Sequence, residues 1–161
     1  YMTIQIIETE PTDIEVIPLI EELSVELGKR FGDTGKNSFQ GWDGQSTKSV
    51  FVKASLTNEV VGCGAIRPIS NDIAEVKRMF SKYSRKGIGG KVLDYLEDKA
   101  KALEYKEIWL ETRRLNQEAC AFYLKNGYKE IPNYGKYIGN EKAICFGKLI
   151  SNQKNNEEQF V

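Results

Sequence analysis

The sequence contains no histidine, and several chemistries leave with it. A Ser-His-Asp triad, a cysteine activated by imidazole, and zinc sites built on imidazole are all excluded. Cysteine is scarce: Cys63, Cys120 and Cys145 are far apart, odd in number, and form no C-x-x-C pair. Reduced thiols in a cytosolic protein are the expected state. No apolar run approaches the ~20 residues that span a bilayer, and the first residues carry no signal-peptide pattern. A cytoplasmic protein with no membrane partner is therefore expected. Neither sign of charge is in excess, with 23 Lys and Arg against 23 Asp and Glu. That balance argues against nucleic acid as a partner.

What remains is ample for one core: 161 residues, 40% of them hydrophobic. No repeat or linker divides the chain, so residues 3–150 read as a single domain. Residues 151–161, mostly Asn, Gln, Glu and Lys, read as a mobile polar tail. Thr3 to Glu8 is a short β-branched run and a first strand. Ile20, Leu23, Leu27 and Phe31 recur at helical spacing, with Pro18 in the first turn of that helix. Gly32 to Lys48 is rich in Gly, Asn, Ser and Asp, carries Phe39 and Trp42, and reads as a loop or irregular helix. Three strands follow, Ser49–Leu56, Val60–Ile69 and Asp72–Phe80, with turn signals at Asn58-Glu59 and Ser70-Asn71. They form an antiparallel meander. A helix from Gly87 to Leu103 puts Ile88, Val92, Leu96, Ala100 and Leu103 on one stripe. Ile108–Thr112 is a strand. Gln117–Asn126 is a helix, with Asn116 as N-cap and Gly127 as its stop. Ala143–Ile150 closes a mixed α/β fold.

Ser84-Arg85-Lys86-Gly87-Ile88-Gly89-Gly90-Lys91 sits between a strand and an amphipathic helix. First-turn N–H groups lack intrahelical partners, and the macrodipole adds partial positive charge there. Glycines let a phosphate approach that backbone, and Arg85, Lys86 and Lys91 add full charges, so the segment suits a pyrophosphate. The plainer reading is a glycine turn with solvated basic residues. A Walker A loop ending in Gly90-Lys91 fails at Arg85 and Val92, and a dinucleotide fingerprint from Gly87 fails at Val92.

A third motif fits. Ala74 to Lys91 resembles motif A of the GNAT superfamily, the acetyl-CoA-dependent N-acetyltransferases, written Q/R-x-x-G-x-G/A. Gly87 and Gly89 match its glycines, while Ser84 replaces the first Gln or Arg, with Arg85 adjacent. Ala119 to Tyr128 resembles motif B, A-x-x-F-Y-x-K-x-G-Y, at every defining position. Val61 to Arg67 is similar to the strand that pairs with the motif A strand, and the resemblance spans roughly Thr3 to Leu149. It implies a largely antiparallel mixed sheet, flanked by helices, whose central fourth and fifth strands splay apart. It also implies that acetyl-CoA enters the gap as co-substrate, with no metal. Its pantetheine arm would pair with the backbone of Arg78, Met79, Phe80 and Ser81, and its pyrophosphate would lie on Gly87, Ile88, Gly89, Gly90 and Lys91. Arg85 and Lys86 would stand beside the phosphates. The implied partners are acetyl-CoA and an amine acceptor, with a homodimer left open.

Acetyl transfer from a thioester to an amine requires deprotonation of the amine, stabilisation of the oxyanion, and protonation of the leaving thiolate. By the motif B resemblance, Tyr123 is the general-acid candidate and a contact to the cofactor sulfur. By periodicity alone, Ala119, Phe122 and Tyr123 are a helix's core face. Glu75 is the base candidate, a carboxylate amid apolar neighbours on an interior strand, where burial raises a carboxyl pKa. Its alternative is an ion pair with Lys77 or Arg78 at the sheet surface, and Glu111 is a rival base. Asn116 stands where relatives bond the pantetheine, and serves equally as a plain cap. Cys120 and Cys145 read as core residues. Asp33, Phe39, Trp42, Asp43, Tyr134 and Tyr137 either line an amine site or anchor loops. The expected function is N-acetylation of a small-molecule or protein amine by direct attack. The alternatives are a silent acyl-CoA-binding module and a transferase of longer acyl chains.

Overall fold

The computed structural model describes residues 3–31, 48–84 and 86–150. In chain order the elements are β1 (Ile4–Thr9), α1 (Ile17–Phe31), β2 (Val50–Leu56), β3 (Glu59–Pro68), β4 (Ile73–Ser81), α2 (Ile88–Ala102), β5 (Glu107–Arg113), α3 (Gln117–Lys125), β6 (Lys129–Ile131) and β7 (Ala143–Leu149). A 3-10 turn, Gly135–Tyr137, lies between β6 and β7. The strands form one seven-stranded sheet ordered β1-β2-β3-β4-β5-β7-β6. Every neighbouring pair is antiparallel except β4 with β5. The mixed α/β architecture expected from the sequence is the one observed.

β2, β3 and β4 are buried on both faces, so they read as apolar runs rather than strict alternation. On one face, Val52, Ala54 and Ile66 pack under Val92, Leu93 and Leu96 of α2. On the other, Phe51, Cys63 and Ala65 pack with Val16 and Leu19 at the start of α1. Leu23 is buried as the helical spacing predicts; the side chains of Leu27 and Phe31 lie outside the described residues, as do residues 32–47 and 151–161.

Two β3 glycines set how closely α2 approaches. A Cβ on Gly62 would stand 2.6 Å from Ile88, and one on Gly64 2.6 Å from Val92 and 2.7 Å from the Met79 sulfur. Only hydrogen fits there, so helix and sheet meet almost backbone to backbone. Opposite Gly64 the ladder slips. Cys63 pairs with Phe80 but Ala65 with Lys77, so Arg78 and Met79 together oppose one residue. Arg78 takes φ +55°, a left-handed conformation that marks a β-bulge.

Three details differ from the sequence reading. The β2–β3 turn is Thr57-Asn58, both at positive φ, and Glu59 already belongs to the strand. That is the twist-compatible two-residue hairpin. β6 and the 3-10 turn were not expected, because a three-residue strand has no periodicity of its own. β6 exists through pairing with Cys145–Gly147.

Candidate active site

β4 and β5 pair only at Ile73–Glu107, Ala74–Ile108 and Glu75–Trp109. Beyond Glu75 the strands part, although β4 continues to Ser81 and β5 to Arg113. The bulge at Arg78 helps turn β4 away, and the gap opens beside Lys77 on one strand and Glu111 on the other.

At the end of β4 the chain enters α2 through Gly87, whose φ of +77° is the left-handed turn only glycine adopts without strain. Among the described residues, nothing beyond the local backbone lies within 4 Å of where Cβ atoms of Gly87 and Gly90 would be, and the first turn contains no acidic residue. Ile88 is buried and anchors that turn, while Lys86 and Lys91 are exposed. The result is an open concavity of backbone amides carrying positive potential, the arrangement that accepts an anion. Arg85 lies outside the described residues. Of the remaining cofactor candidates, Arg78 is buried at the bulge, Met79 packs toward α2, and Phe80 packs toward α1. The Ser81 hydroxyl donates to the Tyr83 carbonyl at 2.8 Å.

α3 brings the second motif to the same place. A Cβ on Gly89 would meet the Phe122 ring at 3.4 Å, so α3's aromatic edge borders the amide concavity. Tyr123, 7% exposed, stacks edge-on with Phe122 at 5.1 Å and with Tyr128 at 5.7 Å. Burial pushes its phenol well above the ordinary range, so the proton stays on at neutral pH. Its packing is that of a core residue, and its hydroxyl makes no hydrogen bond among the described residues. The Tyr128 hydroxyl donates to Glu97 at 2.8 Å, and Lys148 bonds the other carboxylate oxygen at 3.0 Å. Asn116 caps α3 by accepting from the Ala119 N–H at 3.1 Å.

The opposite face of the gap is polar. Glu75 is 3% exposed, and both its oxygens are engaged. Arg67 Nε lies 3.0 Å from Oε1, Lys77 Nζ lies 3.6 Å from it, and the Tyr134 hydroxyl donates to Oε2 at 2.5 Å. The lone buried carboxylate expected from the sequence is instead the centre of a network. The ion pair with Lys77 does exist, but inside the protein rather than at its surface. Lys77 also donates to the Tyr137 hydroxyl at 2.8 Å. Tyr134 stacks on Trp109 at 5.1 Å and on Tyr137 at 5.4 Å, walling this side. Glu111 differs from Glu75: it makes no hydrogen bond or ion pair among the described residues. Burial raises its pKa above the ordinary carboxylate range, and Glu75 adds to the shift against the pull of Lys77 and Lys136.

Arg67, Lys77 and Trp109 escaped the sequence reading as site residues; only the strand register shows that they share this face. Tyr134 and Tyr137 join the network, whereas Asp33, Phe39, Trp42 and Asp43 lie outside the described residues. Cys63 and Cys145 are buried and Cys120 partly so, and all three are free thiols. Burial raises Cys63 to about 12. Among the described residues no group of His, Cys, Asp or Glu is placed to hold a metal, and no helix is long and apolar enough to cross a membrane.

The profile of the acetyltransferase (GNAT) family matches residues 16–128. An IAA acetyltransferase from Azospirillum brasilense is 31% identical over 137 residues, 83% of this chain and 90% of that protein. The chain belongs to the GNAT family. Its fold also matches solved structures. One from Klebsiella pneumoniae, assigned as an acyl-CoA N-acyltransferase, has a TM-score of 0.79 at 26% identity, covering 92% of this chain and 98% of that one. A GNAT acetyltransferase from Elizabethkingia anophelis, solved with acetyl-CoA bound, has a TM-score of 0.66 at 20% identity, covering 91% and 97%. Membership in that family supports acyl transfer as the general chemistry of this GNAT chain.

Proposed function

We propose that this GNAT acetyltransferase moves acetyl from acetyl-CoA to an amine by direct attack while both substrates are bound. One observation carries the reading: β4 and β5 part just past Glu75, with an open glycine turn at one end of the gap and titratable side chains on both its faces. Acetyl-CoA supplies the activated thioester. The first-turn amides of Gly87 to Gly90 suit its pyrophosphate, with Lys86 and Lys91 alongside. The β5-facing backbone of Arg78 to Ser81 suits its amide arm, and Asn116 keeps the donor half of its side-chain amide for the same arm.

Glu111 is the better proton acceptor of the two carboxylates. A base needs a free oxygen, and Glu75 has both of its own committed while Glu111 does not. By strand register, Glu111 shares its face with Glu75 and Trp109, whereas Tyr123 belongs to the core on the α2 side. Base and acid therefore approach the gap from opposite sides. Glu111 takes a proton from the amine as the C–N bond forms. Tyr123 gives its proton to the sulfur as the C–S bond breaks. Glu75, with Arg67 and Lys77, holds the Tyr134–Tyr137 wall.

The test is thiol release from acetyl-CoA across a panel of amines. Amine-dependent release with an N-acetyl product supports the reading. Tight acetyl-CoA binding with no release on any amine reduces the chain to a silent acyl-CoA-binding module.

A further inference from the structure

Among the described residues, the Glu75 face of the gap holds more cation than carboxylate. Arg67 and Lys77 both address Oε1 of Glu75, so one negative charge answers two positive ones. Lys136 adds a third at the exposed rim, its ammonium 5.5 Å from the Tyr137 ring. Among the described residues, Glu111 is the one other carboxylate whose charge Lys77 feels, which still leaves two carboxylates against three cations.

Lys77 is the focus of the surplus. It is 7% exposed, yet among the described residues only one of its three donors makes a hydrogen bond, to Tyr137, while Glu75 stands off at 3.6 Å. Burying an ammonium with donors unspent is costly unless a ligand completes the shell. Burial pulls Lys77 below the ordinary lysine range against the charge of Glu75, with Lys136 and Arg67 adding to the shift. A polycationic acceptor would meet repulsion here.

We infer that this face binds an acceptor carrying a carboxylate beside its amine, the carboxylate settling on Lys77 between Arg67 and Lys136. The inference rests on the acetyl-transfer reading. The aromatic walls of Trp109, Tyr134 and Tyr137 suit a small apolar side chain, and the surplus of cations, rather than the rings, disfavours a polyamine.

Matched pairs test it: an amino acid and its decarboxylated amine, phenylalanine with phenethylamine and lysine with cadaverine. The acid member is expected to have a kcat/KM at least about 10-fold higher, through KM, the effect of one charge-assisted hydrogen bond. Lys77→Met should bring that ratio to about one. Lys136→Gln, an exposed position that does not threaten folding, should lower it about 3-fold. Decarboxylated amines acetylated as well as or better than their partners overturn the inference while transfer stands. Titration of each pair into the enzyme–CoA complex reads the preference without turnover. Tighter binding of the acid member with no acetylation would sink the transfer reading and keep the carboxylate site; equal binding overturns the site.

Discussion

Tyr134 donates its hydroxyl to Glu75 across 59 residues of sequence, at 2.5 Å. With the Lys77–Tyr137 bond two residues along the same strand, it ties the β6–β7 connection to β4 at the point where the sheet opens. Tyr134→Phe keeps the ring on Trp109 and removes only this tie. Stability should fall by about 1–3 kcal/mol, the range for a hydrogen bond to a charged group. Urea unfolding measures it, and an unchanged midpoint means the tie is not made in solution.

Tyr123→Phe keeps the aromatic packing with Phe122 and Tyr128, so melting temperature and acetyl-CoA affinity should hold. Turnover should drop about 10²–10⁴-fold, the usual contribution of a positioned general acid. Thiol release at saturating acetyl-CoA reads this directly, and full turnover would return Tyr123 to the core.

Glu111 yields two linked pH effects. As the proposed base it must lose its proton, so the rate should climb with pH through its raised pKa, and Glu111→Gln should remove that limb. Folding responds in the opposite sense. Because the folded-state pKa is raised, the parent's folded state binds the extra proton; that contribution is full below the unfolded carboxylate value and is lost as pH rises through the folded one. Glu111→Gln should therefore melt above the parent at pH 8, and the difference should close near pH 4.

At the anion cradle, Gly89→Glu brings a negative side chain to the first turn, while its Cβ meets Phe122 at ordinary contact distance. The variant should fold and lose acetyl-CoA binding by calorimetry. Lys86→Ala should weaken binding far less, since an exposed charge is screened and the amides remain. Equal loss from both would make the site an electrostatic patch rather than a backbone one.

Asp13 secures the entry to α1. It accepts from the Glu15 N–H, the Thr9 hydroxyl and Lys53, with the ion pair at 2.8 Å. Lys53 first, then Thr9, holds its carboxyl down at about 2. A depressed pKa stabilises the fold above the unfolded carboxylate value, and the benefit disappears as pH falls through about 2. Asp13→Asn should cost about 1–2 kcal/mol at pH 7 in thermal melts and nothing at the acid end.

The strands of the meander, α2 and α3 were legible because their signals are local: β-branched runs, the Ile88–Val92–Leu96 stripe, and Asn116 and Gly127 at the ends of α3. The bulge was not, since nothing in Lys77-Arg78-Met79 by itself calls for a left-handed residue; it arises where Gly64 lets α2 and Met79 press on β3. The gap was expected only through the family resemblance. The sequence showed Glu75 as unusual and offered Lys77 as a partner, but not Arg67 or Tyr134, which reach it through strand pairing and a loop return. Glu111 was named only as a rival base, because the sequence does not show the contacts it lacks.

The contact of α2 with Gly62 and Gly64 bears on the lifetime of a bound cofactor. A helix seated that tightly on β3 cannot shift along the sheet without a clash, so packing against β3 sets the position of its first-turn amides. In the acetyl-transfer reading, the phosphate end docks on a surface set by packing rather than by the ligand, and residence time is then governed by the arm between β4 and β5.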